Sequence, residues 1–162
     1  MGQKLANFNI AKEKGELGES IFREYLENRG WIVYFPFTKN RPHFFDLLAT
    51  KNKEKVIACD VKTKARLNFK PATGVNIKAY SEYKIFMESA KIPFYLIFVD
   101  DKTGDVHMLD IAKSGDGKIL KNGKIMIWEI KQMQHLFNIG KENIEKLSAL
   151  DQRNYIFSPG SV

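Results

Sequence analysis

The segment Val56-Ile57-Ala58-Cys59-Asp60-Val61-Lys62 decides the fold and the function that this sequence predicts. Its β-branched and apolar residues are typical of a strand. Alternate side chains of a strand share a face, so Asp60 and Lys62 point to one side while Cys59 and Val61 point to the other. A carboxylate and an ammonium therefore stand side by side on an otherwise apolar strand. The alternative interpretation is the solvated face of an edge strand that carries an Asp/Lys pair.

Asp46 favours the first interpretation, because its immediate neighbours in Phe44-Phe45-Asp46-Leu47-Leu48-Ala49 are all apolar. Burying a carboxylate among such residues is costly unless it is paired or binds a metal. We expect a strand over residues 44–50 and a charged turn over 51–55, which together with residues 56–62 form a hairpin. With Asn52 and Lys53 as the turn, Asp46 lies opposite Cys59. A bulge or twist is then needed to bring the two carboxylates to one point.

Two converging carboxylates and a lysine are what metal-dependent phosphodiester hydrolysis requires. Carboxylate oxygens are ligands that Mg²⁺ prefers, and the backbone carbonyl of Val61 adds a further oxygen. The bound metal activates water and offsets negative charge on the phosphorus, while the lysine orients that water or neutralises the phosphoryl oxygens.

An amphipathic helix is predicted over residues 15–29, with apolar residues at spacings of three and four and Gly30 as its C-terminal cap. Glu19 and Glu24 flank the apolar stripe at similar angles on its two sides. Helical periodicity alone therefore leaves open which of the two faces the proposed site.

The remaining elements define an α/β fold with a mixed β-sheet flanked by helices. We predict one domain over residues 1–162, with a core of about 15–112 and a C-terminal extension of about 113–162 formed by a β-hairpin and a short helix. Tyr83 and its neighbours on the second helix are interpreted mainly as packing residues. The elements expected from the pattern are strands over 31–35, 94–99 and 105–109, a basic loop over 67–79, a helix over 80–91, a hairpin of 119–120 with 125–130, and a helix near 144–150.

Composition points to an acidic partner, because 26 Lys and Arg against 19 Asp and Glu give a formal net charge of +7 over 162 residues. Nucleic acid is the commonest such partner. The single cysteine excludes an intramolecular disulfide and zinc-ribbon sites, and the three histidines lack ligand-like spacing. Neither a membrane span nor a nucleotide-binding glycine motif is present, so we expect a cytoplasmic protein without a small-molecule cofactor.

Taken together, these residues resemble the PD-(D/E)xK nucleases, and within them the Holliday-junction-resolvase-like branch with its restriction-endonuclease-like fold. The resemblance covers roughly residues 15–99. It depends on the segments Gly15-Glu16-Leu17-Gly18-Glu19, Gly30-Trp31-Ile32-Val33, Asp46 and Asp60-Val61-Lys62. Phe45 departs from the family pattern because it stands where the motif has proline. Asp60 departs as well, since it replaces the glutamate usual in resolvases.

The resemblance implies a Mg²⁺-dependent DNA endonuclease that cuts phosphodiester bonds, with branched DNA such as Holliday junctions as one substrate class. It makes Asp46 and Asp60 the metal carboxylates, Lys62 the catalytic lysine and Glu19 the helix acid. Mn²⁺ is expected to substitute for Mg²⁺, and a homodimer is expected because both strands must be cut.

Basic residues around the site are candidates for phosphate contacts, and Lys64 is the first of them because it continues the alternation of Asp60 and Lys62. Two alternatives remain open. One is a non-catalytic nucleic-acid-binding module on the same fold, and the other is a structural protein whose Asp46, Asp60 and Lys62 form a buried polar network. The full set of candidate DNA-binding residues is Lys39, Arg41, Lys64, Arg66 and Lys70.

Overall fold

The computed structural model describes residues 2–36, 43–120 and 123–156. The helices in these ranges are α1 (Gly2–Glu27), α2 (Ile77–Ala90) and α3 (Gly140–Ile156). The strands are β1 (Ile32–Tyr34), β2 (Leu47–Lys51), β3 (Lys55–Thr63), β4 (Ala72–Asn76), β5 (Phe94–Val99), β6 (Asp105–Asp110), β7 (Lys118–Ile119), β8 (Ile125–Glu129) and β9 (Gln134–Asn138).

The larger sheet has six strands in the order β1-β2-β3-β5-β6-β9. β3 and β5 run parallel and the other neighbours run antiparallel, so the sheet is mixed, as predicted. A parallel pair needs a crossover connection. That connection consists of β4 and α2, which bring the chain back from the end of β3 to the start of β5.

Two apolar layers cover the large sheet, one on each face. On one face α1 and α3 bury residues such as Phe22 and Leu147 against Cys59. On the other face α2 and a small sheet of order β4-β8-β7 pack against β3 and β5, with Tyr83 and Trp128 in the same buried cluster. The α/β class with helices flanking a mixed sheet is therefore confirmed.

The hairpin of β2 and β3 has a register one residue away from the predicted one. Leu47, not Asp46, lies opposite Cys59, because the turn contains three residues, 52–54. Asn52 and Lys53 both adopt the left-handed conformation, with φ of 55° and 59°. The regular pairing ends at Leu47 opposite Cys59, and the Asp46 N–H also donates to the Cys59 carbonyl, so two residues face one, as in the expected bulge.

The predicted basic loop over 67–79 was wrong in its second half, which forms β4 and the first turn of α2. The Asn76 side chain caps this helix by accepting a 2.8 Å hydrogen bond from the Lys78 N–H, and so α2 starts earlier than predicted. β4 pairs with β8, about fifty residues further along the chain. Its pairing partner is therefore distant in sequence, and local pattern does not reveal it.

Helix α1 also begins earlier than predicted, at Gly2 instead of residue 15, and Ile10 in this added part is buried in the core. β2 begins at Leu47, three residues after the expected start. The hairpin of β7 and β8 is present, whereas α3 is longer than predicted and β9 was missed.

Among the described helices, none combines the length and the apolar character needed to cross a membrane.

Candidate active site

Asp46 and Asp60 lie side by side at one end of the β2–β3 hairpin. The Asp46 N–H donates to the Cys59 carbonyl at 2.9 Å, so Asp46 and Leu47 both face Cys59 at the end of the regular pairing. The Val61 N–H then donates to Asp46 Oδ2 at 2.7 Å and fixes that carboxylate. The sequence predicted this convergence, and it occurs where the regular pairing of the hairpin ends.

Two donors hold the Asp60 carboxylate, which is only 5% exposed. The Tyr83 hydroxyl donates to Asp60 Oδ2 at 2.8 Å, and the Lys62 ammonium lies 2.6 Å from the same oxygen. Tyr83 is itself stacked on Phe94 with 4.7 Å between ring centroids. Sequence reasoning assigned Tyr83 to packing, because nothing in the helical pattern shows that its hydroxyl reaches a carboxylate on β3.

Glu19 reaches this cluster because α1 passes unusually close to β3. A Cβ atom on Gly18 would lie 1.9 Å from Thr63 Oγ1, so only glycine permits this approach. Glu19 is half-buried and feels the charges of Lys62 and Asp60, whereas Glu24 is exposed on another side of the helix. Of the two glutamates that periodicity left open, Glu19 is thus the one that interacts electrostatically with Asp60 and Lys62.

Burial dominates the acid–base behaviour of the three carboxylates. It raises the pKa of Asp60 to about 6, and the charge on Lys62 only partly opposes this effect. The pKa values of Asp46 and Glu19 are also raised by burial, again against the lowering effect of Lys62. Burial disfavours the charged form of all three carboxyl groups. A cation bound between them would offset this cost, because a nearby positive charge favours the ionised form.

The predicted donor atoms are of the chemical kind that a hard divalent cation prefers. They are the carboxylate oxygens of Asp46, Asp60 and Glu19 and the carbonyl of Val61, and oxygen ligands of this kind suit Mg²⁺. The Lys62 ammonium lies 2.6 Å from Asp60, so this carboxylate already binds one cationic group. Within the described ranges, however, no three His, Cys, Asp or Glu residues are placed together closely enough to hold a metal. Two adjacent carboxylates are therefore in place, and Glu19 acts on them electrostatically.

The predicted DNA-binding residues take different positions. The Lys64 ammonium donates to the Gly74 carbonyl and lies over the ring of Phe98, and burial lowers its pKa to about 8. Arg66 forms ion pairs with Asp100 at 2.6 Å and Asp105 at 3.0 Å. Both side chains are therefore bound to other residues of the protein. Lys70 lies on the turn between β3 and β4, while Lys39 and Arg41 lie outside the described residues.

The fold is the restriction-endonuclease-like fold. Among solved structures, this chain is similar to Hjc of Archaeoglobus fulgidus, a Holliday junction resolvase from an archaeal hyperthermophile. The TM-score is 0.55 at 12% sequence identity, and the match covers 73% of this chain and 90% of that chain. The sequence matches no protein-family model and no curated protein. At this identity the likeness establishes the fold.

Proposed function

We propose that this chain is a Mg²⁺-dependent endonuclease that hydrolyses phosphodiester bonds in DNA. The observation that carries the proposal is the contact between the Asp46 and Asp60 carboxylates, with the Lys62 ammonium 2.6 Å from Asp60. The fold shared with Hjc, together with that protein's description as a Holliday junction resolvase, favours branched DNA such as Holliday junctions as the substrate class.

In this proposal the metal ligands are Asp46, Asp60, the Val61 carbonyl and Glu19. When bound, Mg²⁺ supplies an activated water and offsets negative charge at the phosphorus. Lys62 is one-third exposed, so its ammonium reaches the solvent side of the site, where it neutralises the phosphoryl oxygens. The Tyr83 hydroxyl and the Val61 N–H keep the two aspartates in place.

The same proposal includes the expected partners and conditions. Mn²⁺ substitutes for Mg²⁺, two copies of the chain cut the two strands, and the protein is cytoplasmic. Lys39, Arg41, Lys64, Arg66 and Lys70 remain the proposed phosphate contacts. To bind phosphate, Lys64 would have to leave the Gly74 carbonyl and Arg66 would have to leave Asp100. The division into a core of about 15–112 and an extension of about 113–162 also stays a proposal.

Calorimetric titration of Mg²⁺ and Mn²⁺, with a cleavage assay on branched and linear DNA, tests this function. Asp60→Asn keeps an acceptor for Tyr83 and should abolish metal binding and cutting. Glu19→Gln should weaken metal binding about tenfold or more, as expected for the loss of an oxygen ligand or a group supporting one. Glu24→Gln, an exposed change on the same helix, is the matched control and should behave like wild type. Full cleavage by folded Asp60→Asn would refute the proposal.

A non-catalytic DNA-binding module is the second candidate function. Two observations favour it. Asp60 forms an ion pair with Lys62, and no three potential metal ligands lie together among the described residues. This candidate predicts salt-sensitive DNA binding that needs no metal. Wild-type protein that binds DNA but neither binds Mn²⁺ nor cuts would establish it in place of the nuclease.

A further inference from the structure

The turn between β3 and β4, residues 67–71, carries an exposed aromatic side chain that the proposed site does not use. Phe69 is 70% exposed, the highest value for a large apolar side chain in the described part of the molecule. It follows the end of β3 that bears Asp60 and Lys62. The ring therefore lies six residues beyond the last residue of β3 and is open to a binding partner.

Backbone hydrogen bonds hold this turn in one shape. The Leu67 N–H donates to the Ala72 carbonyl at 2.9 Å, and the Ala72 N–H donates to the Lys70 carbonyl at 2.8 Å. A third hydrogen bond joins the turn to the residue that follows β8: the Ile130 N–H donates to the Pro71 carbonyl at 2.8 Å. Phe69 is thus presented by an ordered turn, and binding through it loses little conformational entropy.

Lysines surround the base of the turn. Glu129 lies opposite Ala72 in the small sheet, and Lys131 and Lys118 are 2.8 Å and 4.0 Å from its carboxylate. The charge of Lys70 acts on the same carboxylate. Three ammonium groups against one carboxylate leave positive charge beside the exposed ring. A partner that is both flat and anionic fits this combination, and nucleic acid offers bases and phosphates together.

We propose that Phe69 stacks on an unstacked base of the bound DNA, while Lys70, Lys118 and Lys131 contact the flanking phosphates. This inference rests on the proposed nuclease function and adds a residue that determines substrate choice. The bases of a continuous duplex stack on one another and leave no free face for a phenyl ring. A branch point exposes base faces, so the Phe69 turn favours branched DNA over linear duplex.

Fluorescence anisotropy without divalent cation separates binding from cutting. The probes are a four-way junction and a linear duplex that share one labelled strand. We expect Phe69→Ala to bind the junction about tenfold more weakly than wild type does, with duplex affinity unchanged. Phe69→Trp should restore junction binding. Phe8→Ala removes another phenyl ring, one that is 65% exposed on α1, and should match wild type.

A second readout reports stacking itself. A junction with 2-aminopurine at the branch point should lose fluorescence on binding wild type but keep it with Phe69→Ala. Equal affinities of Phe69→Ala and wild type for the junction would overturn the inference, as would equal losses for junction and duplex. Phe69-dependent binding to anionic lipid vesicles with unchanged junction binding would also overturn it. Wild-type protein that binds neither DNA probe would refute the proposed function itself.

Discussion

At the scale of single residues, the carboxylates of the candidate site work against the stability of the fold. Asp60 is buried, and its pKa of about 6 lies above the ordinary 3.8. A raised carboxyl pKa means that the folded protein prefers the protonated form. The stabilisation from this group is complete below pH 3.8 and is lost as the pH rises through about 6. At neutral pH, charged Asp60 therefore destabilises the metal-free protein.

Asp60→Asn should accordingly raise the free energy of unfolding of the metal-free protein at neutral pH, by roughly 1–2 kcal/mol. The asparagine oxygen still accepts the Tyr83 hydrogen bond, so the change mainly removes the buried charge. Urea denaturation in the presence of a chelator measures the effect, and the gain should vanish near pH 4. A loss of stability at neutral pH would show that the Lys62 pair outweighs burial.

At the scale of helices and strands, what the sequence predicted depended on how local the signal was. Strands β3 and β5 were predicted because their apolar, β-branched runs specify a strand without reference to a partner. β4 was missed because its Gly74 is a poor strand former locally. Gly74 is nevertheless required in β4, because a Cβ at this position would lie 1.9 Å from the Met126 carbonyl oxygen on β8. Such a reason exists only in the folded protein.

The candidate site follows the same division. Asp46, Asp60 and Lys62 were found because a carboxylate or an ammonium in an apolar strand is visible in the sequence. The register of the β2–β3 hairpin was predicted one residue off, since the number of residues in a turn is not encoded by its composition alone. The role of Tyr83 was missed because it depends on how α2 packs against β3.

Gly18 is where the packing of α1 can be tested. Gly18→Ala should destabilise the protein by about 1–3 kcal/mol, because the new methyl group meets Thr63 Oγ1 and pushes α1 away from β3. Gly15→Ala is the matched control, since its Cβ would approach only Glu19 Oε1, at 4.0 Å. It should stabilise the helix by about 0.5–1 kcal/mol. Thermal unfolding of both variants measures the difference.

A second-site change distinguishes the steric explanation from a general defect of the helix. Adding Thr63→Ala to Gly18→Ala removes the obstructing hydroxyl and should recover much of the lost stability. Thr63→Ser keeps the hydroxyl and should recover little. Equal recovery by the two changes would contradict the proposed contact between α1 and β3.

At the scale of the whole molecule, one lysine connects three parts of the fold. The Lys14 ammonium on α1 contacts Asp101, in the turn between β5 and β6, and lies 2.8 Å from Asp151 on α3. Lys102 binds Asp151 from the same turn at 2.7 Å. The two helices on this face of the sheet are thereby tied to each other and to the sheet. The side chains of Lys14 and Asp101 are 13% and 3% exposed, so solvent screens their interaction little.

Lys14→Met should therefore lower the free energy of unfolding by about 3 kcal/mol, because it leaves the Asp101 carboxylate buried without its cation. Lys12→Met, two residues away on α1, is the matched control. Lys12 pairs with Glu16 at 3.6 Å on an exposed helix face, and its loss should change stability by about 0.5 kcal/mol or less. Chemical denaturation at low and high salt measures both variants, and the Lys14 effect should persist at high salt. Similar small losses in both variants would mean that apolar packing alone holds α3 in place, which assigns its attachment to residues such as Leu147 instead of to Lys14.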